Sequence, residues 1–138
     1  MRRNNSRIKA LVYFYHYDLM GEEIDQEYLD DLINEEEEVD IDEEFYEELI
    51  TGVKKHLKEI NKIINLNLSN WTIDRMSVVD RNLIRIGVYE MLYTDTPKPI
   101  IINEIVNLTH IYSELDGQTE SKFNNKLLDN IRKYIDGE

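Results

Sequence analysis

Several features are missing from this sequence, and each absence excludes a kind of site or location. There is no cysteine, so disulfide bonds and thiolate metal sites are excluded. The five glycines are scattered, so no glycine-rich loop can cradle a phosphate group. The longest purely aliphatic run, residues 100–102, is far shorter than a membrane span, and the N-terminus does not resemble a signal peptide. We therefore expect a cytoplasmic protein.

Basic residues are missing from one long segment. Residues 21–48 contain 16 acidic side chains and no Lys or Arg, whereas the rest of the chain has 16 basic and 13 acidic side chains. This segment accounts for the net charge of −13, which by itself argues against binding to nucleic acid. The first nine residues, MRRNNSRIK, are instead a basic arm. The charge is therefore polarised along the chain, and the role of the acidic segment stays open.

Apolar residues recur at helical spacing, and no segment alternates with period two over more than a few residues. One domain is expected for 138 residues, and we predict an all-α bundle of about seven helices. The first predicted helix covers about 6–20, a weaker second one follows Asp25, and a long third one is capped by Asp40 or Asp42 and has apolar positions from Phe45 to Ile64. A short fourth helix is capped by Asn70, and a fifth starts at Ser77 and ends before Pro97. The sixth runs from Ile101 towards Gly117, and the seventh from near Thr119 to Ile135. Gly52 lies inside the long helix, which indicates close helix packing.

Neither a metal site nor an active site is indicated by the motifs. The di-metal sites of helical bundles use Glu-x-x-His pairs, and His16, His56 and His110 each lack a Glu three residues earlier. The acidic run NEEEEVDIDEE has no glycine at the position that a calcium loop requires. No G-x-S-x-G motif or readable catalytic triad is present. We therefore expect a protein that is not an enzyme and needs no cofactor.

The stretch DRNLIRIGVYEML, residues 80–92, places charges in a mostly apolar helix. Arg85 and Glu90 are five residues apart, roughly 140° around a helix, so they cannot pair with each other. Because an unpaired buried charge is costly, each should pair with another helix, and Glu104 is the candidate partner of Arg85. Asp80 and Arg81 are expected to be exposed at the start of the helix, where they could meet a protein partner.

These residues also resemble a known family. The segments VVDRNLIRIGVYEML, TPKPIIINEIVNL and SKFNNKLLDNI, in this order and spacing, are similar to motifs of the NusB family of bacterial transcription antitermination factors. SRIKALVYFYHYDL resembles the first helix of the family, and ITGV resembles its mid-chain glycine motif. The resemblance therefore covers nearly the whole chain.

The resemblance implies an all-α fold of two helical subdomains, at about 1–69 and 70–138, without enzymatic activity. It implies binding to the boxA element of nascent RNA in ribosomal RNA operon leaders, together with NusE, a small-subunit ribosomal protein. The complex joins other factors on RNA polymerase and suppresses termination.

The resemblance also assigns residues to surfaces. The RNA surface would include Arg2, Arg3, Arg7, Tyr15, Lys122 and Phe123. Lys126, which stands where the family has a glycine, could restore a phosphate contact. The NusE-facing surface would include Asp74, Arg75, Asp80 and Arg81. Cations that hold phosphates and aromatic rings that stack bases suit single-stranded RNA. Alternatives are open: Tyr15 and Phe123 could be packed in the core, Arg2 and Arg3 could be a disordered tail, and the charged positions could form a solvated face.

The last helix departs from the family, because Phe-Val-Asn-Gly is replaced by Phe123, Asn124, Asn125 and Lys126. A second hypothesis is therefore a protein-interaction module that binds NusE or itself and has little affinity for RNA. A homodimer could cover the RNA surface.

Overall fold

The computed structural model describes residues 1–70, 72–114 and 119–138. Within these ranges the secondary structure is entirely helical, which confirms the predicted all-α fold. The elements are α1 (Arg2–Met20), α2 (Gln26–Ile33), α3 (Glu43–Lys55), α4 (Leu57–Asn67), a 3₁₀ helix (Ile73–Arg75), α5 (Val78–Tyr93), α6 (Lys98–Tyr112) and α7 (Thr119–Asp136). The predicted extension of the sixth helix to Gly117 lies outside the described residues.

Side-chain caps explain where several helices begin. The side chain of Asp42 accepts a hydrogen bond from the amide of Phe45, and that of Ser77 accepts one from the amide of Asp80, as the sequence predicts. The predicted cap at Asn70 is wrong. Asn70 has a left-handed backbone with φ of 70°, and the 3₁₀ helix after it has no side-chain cap.

Two helix boundaries differ from the prediction. α1 starts at Arg2 rather than near residue 6, so the basic arm is helical and is not a disordered tail. The long third helix is divided at His56, whose φ of −107° and ψ of 15° interrupt the helical hydrogen bonds. The imidazole of His56 stacks on the ring of Tyr93, with centroids 4.1 Å apart. This stacking joins the corner between α3 and α4 to the end of α5.

α5 is the central helix of the fold. It packs against α1, α3, α4, α6 and α7, and Leu83, Ile84, Ile86 and Val88 on it are completely buried. Because α5 contacts helices on both sides of residue 70, it joins the two regions that the sequence assigns to separate subdomains. The division into two subdomains stays a prediction.

Gly52 allows α3 to lie close to α5. A Cβ atom at this position would lie 2.2 Å from Cε1 of Tyr89, well inside van der Waals contact. The Tyr89 ring is held in place, since its hydroxyl donates a hydrogen bond of 3.0 Å to Glu48. Burial and then this hydrogen bond raise the pKa of Tyr89 to about 12. Close packing therefore explains a glycine inside a helix, as predicted.

A buried ion pair joins α1 to α5. Nε and Nη2 of Arg7 donate hydrogen bonds of 2.8 and 2.7 Å to the two carboxylate oxygens of Glu90. Both side chains are buried, with exposed fractions of 5% for Arg7 and 0% for Glu90. Glu90 thus has a partner on another helix, as expected. Arg7 was expected on the RNA surface, and this expectation is wrong because its guanidinium is enclosed between α1 and α5.

The predicted partner of Arg85 is also wrong. Arg85 donates to Asn61 at 2.9 Å and lies 3.4 Å from Asp18, whereas Glu104 on α6 is not among its partners in the described part of the chain. Asp18 also accepts a hydrogen bond of 2.7 Å from Arg81. Burial disfavours the charged form of Asp18, but the bonds from Arg81 and Asn82 outweigh it and lower the pKa of Asp18. The end of α1 is therefore joined to α5 by a second ionic cluster.

None of the helices in the described ranges is long and apolar enough to span a membrane.

The Gly52→Ala substitution should lower the free energy of unfolding by about 1–2 kcal/mol, because the displaced Tyr89 ring costs more than the roughly 1 kcal/mol of helix propensity that Ala adds. Denaturant unfolding measures the difference, and the neighbouring exposed position supplies the control, Thr51→Ala. A more stable Gly52→Ala protein would contradict the close packing.

The Glu90→Gln substitution should lower the free energy of unfolding by about 3–5 kcal/mol, because it leaves the Arg7 charge buried without its partner. Thermal or urea unfolding tests this, with Glu47→Gln as a control that removes the same charge from an exposed position of α3. Replacing both partners, as Arg7→Met with Glu90→Leu, should cost less than Glu90→Gln alone. Equal stabilities of Glu90→Gln and Glu47→Gln would show that the pair contributes little.

Candidate nucleic-acid interface

Most basic side chains of this protein are already neutralised by a carboxylate, and the exceptions cluster in a few places. The basic residues with no carboxylate of the described residues within 4.0 Å are Lys55, Lys58, Lys62, Arg75, Lys122 and Lys126. These side chains are also exposed. They are the cations best able to accept a phosphate group without first breaking an ion pair.

The start of α7 places two of these cations on one face. Lys122 and Lys126 are four residues apart on a helix, which puts both on the same side. The N-terminal end of α7 is positioned by Glu114, which accepts a hydrogen bond of 3.0 Å from the amide of Ser121. Hydrogen bonds from Ser121, and then from His110, lower the pKa of Glu114. Both predicted lysines therefore lie on a helix whose first turn is bonded to Glu114, and both are accessible.

Phe123 lies between these lysines in the sequence and between two cavities in the structure. Its side chain is 37% exposed, so it is neither fully packed nor fully free. One cavity, of about 200 Å³, is also lined by Leu68 and Lys126. The other, of about 380 Å³, lies between the 3₁₀ helix and α7 and is lined by Arg75 as well.

The proximity of Arg75 to Phe123 could not be predicted from the sequence. The motif resemblance assigned Arg75 to the NusE-facing surface, but the fold brings it to the same cavity as Phe123. Lys122, Phe123, Lys126 and Arg75 therefore form one surface, which we call the α7 surface. Apart from that resemblance, the sequence shows Arg75 only as a charged residue between two apolar ones, Ile73 and Met76, just before the capping serine of α5.

The N-terminal arginines lie at the surface but are not free. Nε of Arg2 is 3.2 Å from Asp40, and Nε of Arg3 is 3.9 Å from Asp42. The guanidinium of Arg3 also lies 4.5 Å above the ring of Phe45. Both arginine side chains are more than half exposed, so an incoming phosphate can reach them and compete with the carboxylates.

Tyr15 is on the surface of α1, with 42% of its side chain exposed. The alternative that it is a core residue is therefore wrong, and its ring is accessible for stacking.

The predicted protein-partner residues divide into two groups. Asp74 and Arg75 are exposed. Asp80 is buried and accepts hydrogen bonds from Ser113 at 2.5 Å and Asn124 at 3.0 Å. The expectation that Asp80 is exposed is wrong, because its carboxylate joins α5 to α6 and α7.

Arg81 was also expected to be exposed, but only 17% of its side chain is accessible and it is paired with Asp18. Its guanidinium serves mainly to hold α5 against α1.

In the described ranges, no group of three or more metal-ligating side chains is close enough to hold a metal ion. The surface instead combines accessible cations with exposed aromatic rings. That combination suits the phosphates and bases of single-stranded nucleic acid.

Comparisons with known proteins show the family of this chain. The NusB family model matches residues 4–133. The transcription antitermination protein NusB of Staphylococcus aureus (strain MRSA252) is 34% identical over 139 residues, which cover 96% of this chain and all of the relative. The protein of the same name from Listeria monocytogenes serotype 4a (strain HCC23) is 36% identical over 132 residues, covering 95% of this chain and 96% of the relative.

A solved structure shares the fold as well. The crystal structure of the antitermination factors NusB and NusE in complex with dsRNA contains a chain that is 31% identical, with a TM-score of 0.76 and coverage of 96% of this chain and 97% of that chain. Sequence and fold thus agree over nearly the full length. This chain belongs to the NusB family of transcription antitermination proteins, which are not enzymes.

Proposed function

We propose that this protein binds boxA-type RNA of ribosomal RNA operon leaders together with NusE, and that the complex acts on RNA polymerase to prevent termination. The observation that carries the proposal is the α7 surface, where Lys122, Lys126 and Arg75 have no carboxylate partner among the described residues and flank Phe123. In a protein with a net charge of −13, cations that are not already neutralised are the first that an RNA phosphate can bind.

Support for the partners comes from the related structure, in which NusB and NusE are together in complex with dsRNA. Relatives that cover nearly the full chain carry the name transcription antitermination protein. The boxA sequence, the ribosomal RNA leader and the polymerase complex are inferred from the family resemblance.

In the proposed complex, the lysines of the α7 surface and Arg75 contact phosphates. Tyr15 and Phe123 offer ring faces or edges to bases, which suits unpaired nucleotides. Arg2 and Arg3 add phosphate contacts once they leave their carboxylates, whereas Arg7 keeps its structural role. NusE would contact the surface around Asp74 and the exposed part of Arg81, where charge complementarity with a basic ribosomal protein favours encounter.

Titration of a boxA-type RNA in the presence of NusE, over a range of salt concentrations, tests the proposal. The wild-type chain should show a log–log salt slope of roughly −2 to −3, at about −0.7 per phosphate contact on a single strand. The double substitution Lys122→Gln with Lys126→Gln should weaken binding and reduce the magnitude of this slope by about 1.4.

The matched control for this titration is Lys58→Gln with Lys62→Gln. This pair has the same spacing on α4, is also exposed and has no ion pair with the described residues, so it removes the same charge from residues that do not belong to the α7 surface. Its slope should stay close to that of the wild type. Equal losses in the two double variants would contradict the α7 surface, and no binding even with NusE would contradict RNA binding as a whole.

A second candidate is a protein-interaction module that binds NusE or itself and has little affinity for RNA. It is favoured by the engagement of the N-terminal arginines, since Arg2, Arg3 and Arg7 all pair with carboxylates in the structure. A pull-down that retains NusE while the RNA titration stays blank would support it. Sedimentation in an ultracentrifuge, with and without RNA, would show whether a homodimer covers the α7 surface.

A further inference from the structure

The loop between α2 and α3, residues 34–42, lies against the first turns of α1. It carries six of the acidic side chains of the chain's acidic segment and no basic ones. Its last residues, Asp40, Ile41 and Asp42, make the contacts with α1. The most acidic loop of the protein is therefore docked on its basic N-terminal helix.

Arg2 is held by this loop through two of its nitrogen atoms. Nε lies 3.2 Å from Oδ2 of Asp40, and Nη2 donates a hydrogen bond of 3.2 Å to the carbonyl oxygen of Ile41. Adjacent donors on one edge of a guanidinium are the groups that also bind the oxygens of a phosphate. Asp40 and Ile41 thus present to Arg2 the kind of oxygen atoms that an RNA backbone would present.

Backbone contacts fix the loop in this place. Nδ2 of Asn5 donates a hydrogen bond of 3.0 Å to the carbonyl oxygen of Asp40. The amide of Asp42 donates one of 2.9 Å to Oγ of Ser6, which is fully buried. The loop is therefore attached to α1 by its main chain, while the Asp40 carboxylate reaches back to Arg2.

The two aspartates of this contact, Asp40 and Asp42, differ in how many other contacts their carboxylates make. Asp42 caps α3 through the amide of Phe45, so it has a structural role. The carboxylate of Asp40 contacts only Arg2 among the described residues, and the two side chains are 75% and 60% exposed. An exposed ion pair of this kind contributes little to stability, so a phosphate can replace Asp40 at low cost.

We propose that the α2–α3 loop is an autoinhibitory element, in which Asp40 occupies Arg2 when RNA is absent and competes with RNA phosphate for it. The proposal rests on the proposed RNA-binding function and adds its regulation. In the free protein, Arg2 is neutralised and the neighbouring glutamates repel phosphate. In the complex, Arg2 exchanges the Asp40 carboxylate for the RNA backbone, while the main chain of the loop stays bonded to Asn5 and Ser6 of α1.

The Asp40→Asn substitution tests this directly. It removes the competing charge but leaves the loop backbone, including the carbonyl bonded by Asn5, in place. RNA affinity measured with NusE at about 0.1 M salt should rise by about two- to five-fold, the range that an exposed ion pair supports. The matched control is Asp31→Asn, which removes the same charge from an exposed position of α2 that has no ion pair with the described residues, and it should change the affinity by less.

The same substitution in an Arg2→Gln background separates the contact from general charge. There Asp40→Asn should have no more effect than Asp31→Asn, because the arginine that Asp40 competes for is absent. Equal gains in both backgrounds would overturn the proposal. If wild-type protein binds RNA normally and Asp40→Asn does not tighten binding, autoinhibition fails and the proposed function stands; if wild-type protein binds no RNA with NusE, the proposed function itself fails.

Discussion

The ion pair between Arg7 and Glu90 is the constraint on which the arrangement of the N-terminal helix depends. It is the point at which α1 meets the central helix α5, and its bidentate geometry allows only one register between them. The ring of Phe45 lies 5.3 Å from the Arg7 guanidinium and brings the start of α3 to the same place. Because breaking such a pair strands a buried charge, the three helices are held in one arrangement.

This register decides which surface each other arginine reaches. With Arg7 turned inward, Arg2 and Arg3 are placed at the free end of α1 beside the acidic residues that precede α3. At the other end of α1, Asp18 forms ion pairs with Arg81 and Arg85 of α5. Arginines that form a basic arm in the sequence therefore have different roles in the fold. Of the six cations without a carboxylate partner among the described residues, the three on the α7 surface are those that lie beside an exposed aromatic ring, Phe123.

Helical periodicity and capping chemistry were sufficient to predict most of the fold. Both are local, so Asp42 and Ser77 could be recognised as caps from the residues that follow them. Gly52 and Glu90 could also be interpreted, because a glycine inside a helix and a charge in an apolar helix each require a partner nearby. The break at His56 was missed because the apolar pattern continues through it, and the stacking with Tyr93 that accompanies it comes from a distant helix.

The candidate site was harder to predict, because the wrong predictions all concern side chains whose partners lie far away in the sequence. Arg7 and Glu90 are 83 residues apart, and nothing in the segment MRRNNSRIK separates the one buried arginine from the two exposed ones. Asp80 was misplaced for a similar reason, since the groups that bond its carboxylate are distant in sequence, Ser113 just after α6 and Asn124 on α7. Arg75 could be added to the α7 surface only after the fold had brought it beside Phe123.

The division of roles between Arg7 and Arg75 can be tested by following arginine side-chain Nε–Hε signals by NMR as a boxA-type RNA is added with NusE. The signal of Arg75 should shift, while that of the buried Arg7 should keep its position and exchange slowly with solvent. A shift of the Arg7 signal comparable to that of Arg75 would contradict the division between an arginine that holds the fold and an arginine that meets RNA.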